Sequence, residues 1–319
     1  MTSDPLSDIL DLLGARCLLS GGMTAGGDWI RRFARPEAIK VMALVTGTCW
    51  LEMEDVGPPV PLAAGDVIIV NGRHALALMS DPALRHRIES TPSLPVERDL
   101  TRLDGGGDVR LLGGHVAVDV DRQDLLLDVL PPLIHIGGAS EEAGTLRWLL
   151  TQLARELAAD RPGASTAAAQ LAQLIFVEAL RAYLRQPALA APGWLRGLSD
   201  AHIGPALGLL HREPDRAWTL AELARAVGMS RTSFAERFKA LVGVAPLTYL
   251  TGWRMQLAAR SLRRSELPIS GLAQQYGYLS ESAFSNAFKR VTGLAPRAYR
   301  AANRQAPAGE PPIGEISGF

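Results

Sequence analysis

The 319-residue chain is 47% hydrophobic and 21% charged, a balance that supports a sizeable buried core, divided over two domains, and excludes a disordered or fibrous protein. Its 33 basic and 33 acidic residues cancel overall but not locally: residues 1–199 hold 18 Lys and Arg against 24 Asp and Glu, and residues 200–305 hold 15 against 7. With Glu310 and Glu315 in the tail, the segment charges are −6, +8 and −2, which directs the C-terminal part toward a polyanion.

The opening MTSDPLSDILDLL carries Asp4, Asp8 and Asp11 where a secretory signal needs basic residues before an apolar run, so a cytoplasmic chain is expected. Cys17 and Cys49 cannot frame a disulfide scaffold over this length, and no Cys/His spacing has the form of a zinc site. From residue 39 to about residue 120, short apolar runs cut by Gly, Pro and Asp predict the strands of a sandwich or barrel, with a polar, Gly-rich loop over 94–107. After Pro131 the period changes. Leu146, Leu149, Leu150, Leu153 and Leu157 follow helical spacing, and Leu171, Leu174, Ile175, Glu178, Leu180 and Leu184 nearly repeat it beyond the break at Arg161-Pro162-Gly163. The stretch 141–186 is thus an antiparallel helix pair, which either lids the sheet or offers its remaining apolar faces to a homodimer partner. Residues 167–184 are the most apolar of the chain, yet Gln170, Gln173, Glu178 and Arg181 interrupt them, so no membrane span is expected. Residues 186–199, with two prolines and two glycines, read as a linker, and the tail 306–319 as disordered.

The C-terminal part repeats itself. LAELARAVGMSRTSFAERFKALVGVAPLTY, from Leu220, realigns on ISGLAQQYGYLSESAFSNAFKRVTGLAPRAY, from Ile269, with one residue added in the turn. Each copy predicts a helix, a tight turn at Gly228 or Gly277, and a second helix capped by Ser230 or Ser280, with a capping box at Thr219 and Glu222 opening the first copy. Phe234 and Phe238, like Phe284 and Phe288, stand four apart and anchor the second helix inward. The opposite stripe then presents Thr232, Ala235, Glu236 and Lys239 in one copy and Ser282, Ala283, Asn286 and Lys289 in the other. A helical hairpin repeat for protein contact is the alternative, but two copies with small polar stripes and basic flanks fit paired helix-turn-helix motifs better. On that reading Thr232, Ala235, Glu236, Ser282, Ala283 and Asn286 face base edges, Asn286 suiting adenine and Glu236 a cytosine amino group. Ser230, Arg231, Arg237, Lys239, Ser280, Lys289 and Arg290 suit phosphates. The intervening TYLTGWRMQLAARSLRRS reads as one helix with Tyr249, Trp253, Leu257 and Leu262 on or near an apolar face. Its roughly 18 residues span about 27 Å, enough with the flanking elements to set two recognition helices about one duplex turn, roughly 34 Å, apart.

The double motif, the linking helix with WRMQLAARSL and the closing GYLSESAFSNAFKRVTGLAPRAYR resemble the DNA-binding domain of the AraC/XylS family of bacterial transcription regulators over residues 200–302. Residues 1–190, with LAAGDVIIVNGRHAL and followed by the motif PGWLR at 192–196, resemble the cupin-like domain that binds an effector or mediates dimerisation in that family. The resemblance implies an α+β chain of two domains: a cupin-like β-barrel with a helix pair over 1–190, and an all-α double helix-turn-helix domain over 191–305. It implies a sequence-specific regulator with double-stranded DNA, a small-molecule effector, a second copy of the chain and RNA polymerase as partners. Metal-binding cupins carry an H-x-H cluster where this chain has TGTCWLEMED, and His74 and His115 stand alone, so no metal and no cofactor is expected. No acid/base pair marks the strands, so no enzyme is expected; a barrel enzyme fused to a DNA-binding domain and a constitutive regulator whose barrel only dimerises are the alternatives.

Overall fold

A computed structural model describes residues 4–36, 38–87, 89, 92–97, 100–103, 107–119, 123–140, 143–159, 161–186 and 192–305. The predicted disordered tail and residues 187–191 of the predicted linker lie outside the described residues. The chain divides into two compact units after Leu13 and again at 190/191.

The N-terminal unit is built on strands β1 (Arg16–Ala25), β2 (Ile30–Phe33), β3 (Ile39–Thr46), β4 (Thr48–Met53), β5 (Val60–Ala63), β6 (Val67–Val70), β7 (Leu76–Met79), β8 (Pro92–Glu97), β9 (Leu100–Leu103), β10 (Val109–Ala117) and β11 (Leu133–Ile136). A seven-stranded sheet in the order β11-β6-β3-β10-β1-β9-β8 faces a four-stranded sheet, β2-β7-β4-β5. All pairings are antiparallel except β1 with β9. Alternate residues point inward: Cys49, Leu51 and Met53 of β4 meet Met42 and Leu44 of β3, Trp29, Leu78 and Leu111 in one closed apolar core.

Beyond the short helix α2 (Asp124–Leu127), helices α3 (Gly144–Ala158) and α4 (Ala164–Leu184) cover the outer side of the larger sheet, so strand β3 is buried on both faces from Ile39 to Leu44. Leu146, Leu149, Leu150 and Leu153 of α3 and Ala172, Ile175 and Phe176 of α4 form the inner seam, so the helix pair is a lid. Leu174 was expected on that seam but lies 50% exposed, as does Trp148 at 60%; the buried stripe of α4 instead runs through its alanines. The Gly-Asp turn ahead of β6 has a clear physical role. The Asp66 carboxylate, 9% exposed, accepts hydrogen bonds from the amides of Ala63 (3.0 Å) and Gly138 (2.7 Å) and lies 2.8 Å from His135 Nε2, fastening the turn to β11 and to the chain entering α3.

Several sequence expectations are corrected. The loop expected over 94–107 contains the end of β8 and all of β9, because pairing of β9 with β1 and of β8 with β9 supplies the backbone bonds that the local sequence does not advertise. Strands β1 and β2 precede the region read as β, β1 being hidden by its Gly21-Gly22 step. Part of the expected linker is helix α5 (Trp194–Leu198), whose Trp194 and Leu195 are buried. Helix α1 (Pro5–Leu13), at the start of the expected 1–190 domain, packs with the C-terminal helices and groups with them by contacts. Its Leu6, Ile9, Leu10, Leu12 and Leu13 are all buried, an amphipathic stripe that finds its complement there.

Candidate nucleic-acid interface

The C-terminal unit continues with α6 (Ile203–Arg212), α7 (Leu220–Ala226), α8 (Arg231–Val242), α9 (Pro246–Arg264), α10 (Ile269–Gln275), α11 (Glu281–Thr292) and α12 (Pro296–Gln305). The repeat builds two separate cores. Phe234 and Phe238 of α8 pack with Leu207, Leu210, Leu223 and Leu250; Phe284 and Phe288 of α11 pack with Met255, Leu262, Leu272 and Tyr276. All four phenylalanines are fully buried. Helix α9, 19 residues and so about 28 Å long, contributes Leu250 to the first core and Met255, Ala258, Ala259 and Leu262 to the second.

The local signals act as the sequence predicts. The Ser233 amide donates to Ser230 Oγ and the Ala283 amide to Ser280 Oγ, each at 3.2 Å, and the capping box at Thr219 and Glu222 is complete. Gly228 and Gly277 turn between helices at φ +69° and +74°, and Gly243 and Gly293 end α8 and α11 in the same left-handed region. With the phenylalanines turned inward, the outer faces follow. Arg231, Thr232, Glu236 and Lys239 of α8 are exposed, as are Ser282, Ala283, Asn286, Lys289 and Arg290 of α11.

Two expected members sit differently. Ala235 is half-buried, like its repeat partner Ser285, whereas Ser233, which the sequence reading did not single out, is exposed at the position matching Ala283. Strict use of the repeat register would have found it. Arg237 is exposed but engaged: its Nε and Nη2 donate to Asp200 Oδ2 at 2.9 and 2.6 Å. The other oxygen of Asp200 accepts from the amides of His202 and Ile203, both at 3.0 Å, and so closes the first turn of α6. Burial by itself raises the Asp200 pKa, but the bonds from Arg237 and the two amides outweigh it and hold the carboxyl below its ordinary value. The Asp200→Ala variant should lose about 1–2 kcal/mol, the range for an N-terminal helix cap. Because the folded pKa is depressed, this contribution is present above the unfolded carboxyl value and vanishes as pH falls through the folded one. Thermal melts of wild type and variant should therefore differ at neutral pH and begin to converge only as pH falls below about 4, the unfolded Asp value.

At the other end of the unit, the imidazole of His211 is 1% exposed and stacks on Trp253 at 4.0 Å. Burial pushes its pKa down, so the ring is neutral. Nδ1 then donates to the Asp8 carboxylate (3.2 Å) and Nε2 accepts from the Tyr249 hydroxyl (2.7 Å), which anchors α1 to α6 and α9.

Among the described residues no group of three His, Cys, Asp or Glu side chains could hold a metal, and no helix is long and apolar enough to cross a membrane. His115 lies against Ser20 Oγ (2.7 Å) and His74 against the Glu54 carbonyl (3.0 Å), each a local structural contact.

Comparison with known families agrees with this architecture. A cupin model matches residues 4–185, more than half of the chain, and a helix-turn-helix domain model matches residues 223–302. A putative AraC-like transcription regulator of Streptomyces lividans is 43% identical over 298 residues, covering 93% of this chain and 98% of the relative. The chain belongs to the AraC-like transcription regulators. A second such regulator, from Streptomyces antibioticus, is 41% identical over 304 residues, 93% of this chain and 98% of the relative. The HTH-type transcriptional regulator AlkR of Acinetobacter baylyi is 29% identical over 286 residues, 86% of this chain and 91% of the relative. As an AraC-like regulator the chain binds double-stranded DNA through its helix-turn-helix region, and the family model runs from Leu223 of α7 into α12.

Proposed function

We propose that α8 and α11 are the base-reading helices of a sequence-specific regulator and enter two successive major grooves on one face of a duplex. The observation that carries this reading is the pair of outer stripes, small and polar, on helices whose opposite faces are fixed by four fully buried phenylalanines. Short side chains at Thr232, Ala283 and Ser282 let the backbone approach the base edges, and Glu236 and Asn286 supply discrimination. Ala235 acts from the edge of the stripe. Arg231, Lys239, Lys289 and Arg290, with the capped helix starts at Ser230 and Ser280, contact phosphates. Arg237 orients α8 through Asp200 instead.

The regulator acts in the cytoplasm without catalysing a reaction. The N-terminal unit controls it by taking up a small molecule or by pairing two chains, and RNA polymerase is the target of the signal. An open cavity of about 470 Å³ beside Arg32, Phe33, Glu52, Met53 and Leu76, and an apolar one of about 300 Å³ beside Val56, Pro58, Val60 and Leu133, offer space for an effector. Trp148 and Leu174, exposed on the lid helices, suit contact with a second copy. Titrating DNA affinity against candidate metabolites separates a sensing barrel from one that only dimerises.

Replacing Arg231 tests the phosphate assignment. Binding to all sequences should weaken to the same extent, and the slope of log affinity against log salt should fall by about one unit. An unchanged slope removes Arg231 from the interface.

A further inference from the structure

We propose that Arg254 is a positioning residue that locks the two readers in one relative orientation, so that the protein accepts a single spacing between its two half-sites; this rests on the two-groove reading above. Arg254 projects from the middle of α9, the helix shared by both readers. Its Nε donates to the carbonyl of Pro214 and its Nη2 to that of Arg216, at 2.8 Å, in the loop that leads into α7. The same guanidinium lies 5.7 Å from the centre of the Tyr278 ring, in the turn of the second reader, and that ring meets Phe284 of α11 edge-on at 5.6 Å. One side chain therefore touches the approach to the first motif and the turn of the second.

The loop it grips is stiff. Arg216 pairs with Glu213 (2.9 Å) and Glu222 (3.6 Å) and stacks 3.8 Å over Trp218, whose Nε1 donates to the Glu213 carbonyl at 3.1 Å. Glu222 belongs to the capping box of α7, so the loop moves with that helix. The two motifs also meet directly. A Cβ at Gly277 would stand 2.9 Å from the carbonyl carbon of Asp215 and 3.1 Å from Arg254 Nη2, closer than carbon atoms pack. Glycine is needed there for the close approach as well as for the turn. The contacts of Arg254 run from α9 to the loop before α7 and to the turn of the second motif, so its loss falls on their mutual geometry. A guanidinium suits the task because its planar fork reaches two carbonyls at once with little loss of side-chain freedom.

The test uses the full chain and an operator selected from random duplexes by the wild-type protein, together with versions lengthened or shortened by one base pair between half-sites and versions with one half-site scrambled. Wild type should lose tenfold or more in affinity for a shifted spacing, since one base pair rotates a half-site by about a tenth of a turn. Arg254→Met should bind the selected operator about tenfold more weakly, with the penalty for shifted spacing reduced to about twofold and affinity for the scrambled duplexes unchanged. Arg254→Lys, which reaches one carbonyl, should fall between, and Gly277→Ala should loosen spacing in the same way. A spacing penalty equal to that of wild type in both Arg254→Met and Gly277→Ala overturns the proposal. An equal loss on scrambled and intact operators also overturns it, by assigning Arg254 to the stability of one reader. If wild type itself binds intact and scrambled operators alike, the two-groove reading fails first and the lock falls with it.

Discussion

Replacing Phe284 with alanine will destabilise the second reader by about 3–5 kcal/mol, the range for a large aromatic removed from a packed core, and will abolish recognition of one half-site while the other survives. The ring is fully buried and packs on Tyr278 and Phe288 at 5.6 and 5.9 Å. No neighbouring side chain is free to fill the void, since Leu272 and Phe288 are themselves 0% exposed. The loss is a large fraction of a domain's total stability, about 5–15 kcal/mol. Because Phe284 belongs to the second core alone, amides of α10 and α11 should lose hydrogen-exchange protection while those of α7 and α8 keep theirs. The mirror substitution, Phe234→Ala, should reverse the pattern. Equal loss of protection in both motifs would show that the two cores melt as one.

The second large effect concerns specificity. Asn286→Ala should cost about 1–3 kcal/mol on the selected operator and relax the preference at one base pair, because the substitution would remove the proposed bidentate amide contact to adenine with little change in packing. Asn286 is exposed, so thermal stability should stay within about 0.5 kcal/mol of wild type. In the repeat register its counterpart is Glu236, which accepts hydrogen bonds but cannot donate them. The two half-sites should therefore differ, adenine under one reader and cytosine under the other, and the operator of one chain should not be a palindrome. Base-resolved footprinting of wild type and Asn286→Ala measures this. An unchanged base preference rejects the reading role of Asn286.

The readers were legible because everything that shapes them is local. A serine cap, a turn glycine and two phenylalanines four residues apart fix one helix's start, entry angle and inward face, and the repeat states each of these twice. The outer stripe then follows as a remainder, with Ala235 at its half-buried edge and Ser233 exposed at the position matching Ala283. The N-terminal sheets were legible as a class but not strand by strand. β9 exists through pairing with β1, nearly eighty positions away, and carries β8 on its other edge, while four-residue strands such as β11 carry no period that marks them out.

What the sequence by itself determined is the duplicated helix-turn-helix, its capping, its inward phenylalanines and the segregation of positive charge, all set by neighbours within a few residues. What only the tertiary structure decided are associations between distant segments. α1 leaves the cupin-like segment that contains it to pack on α6 and α9 through His211, Arg237 is taken up by Asp200, and Arg254 joins two motifs that the sequence presents as independent. The physical reason is the same in each case. A buried imidazole or a guanidinium is committed by whichever acceptors the packed chain brings within hydrogen-bond reach, and sequence spacing carries no information about acceptors that arrive from another element.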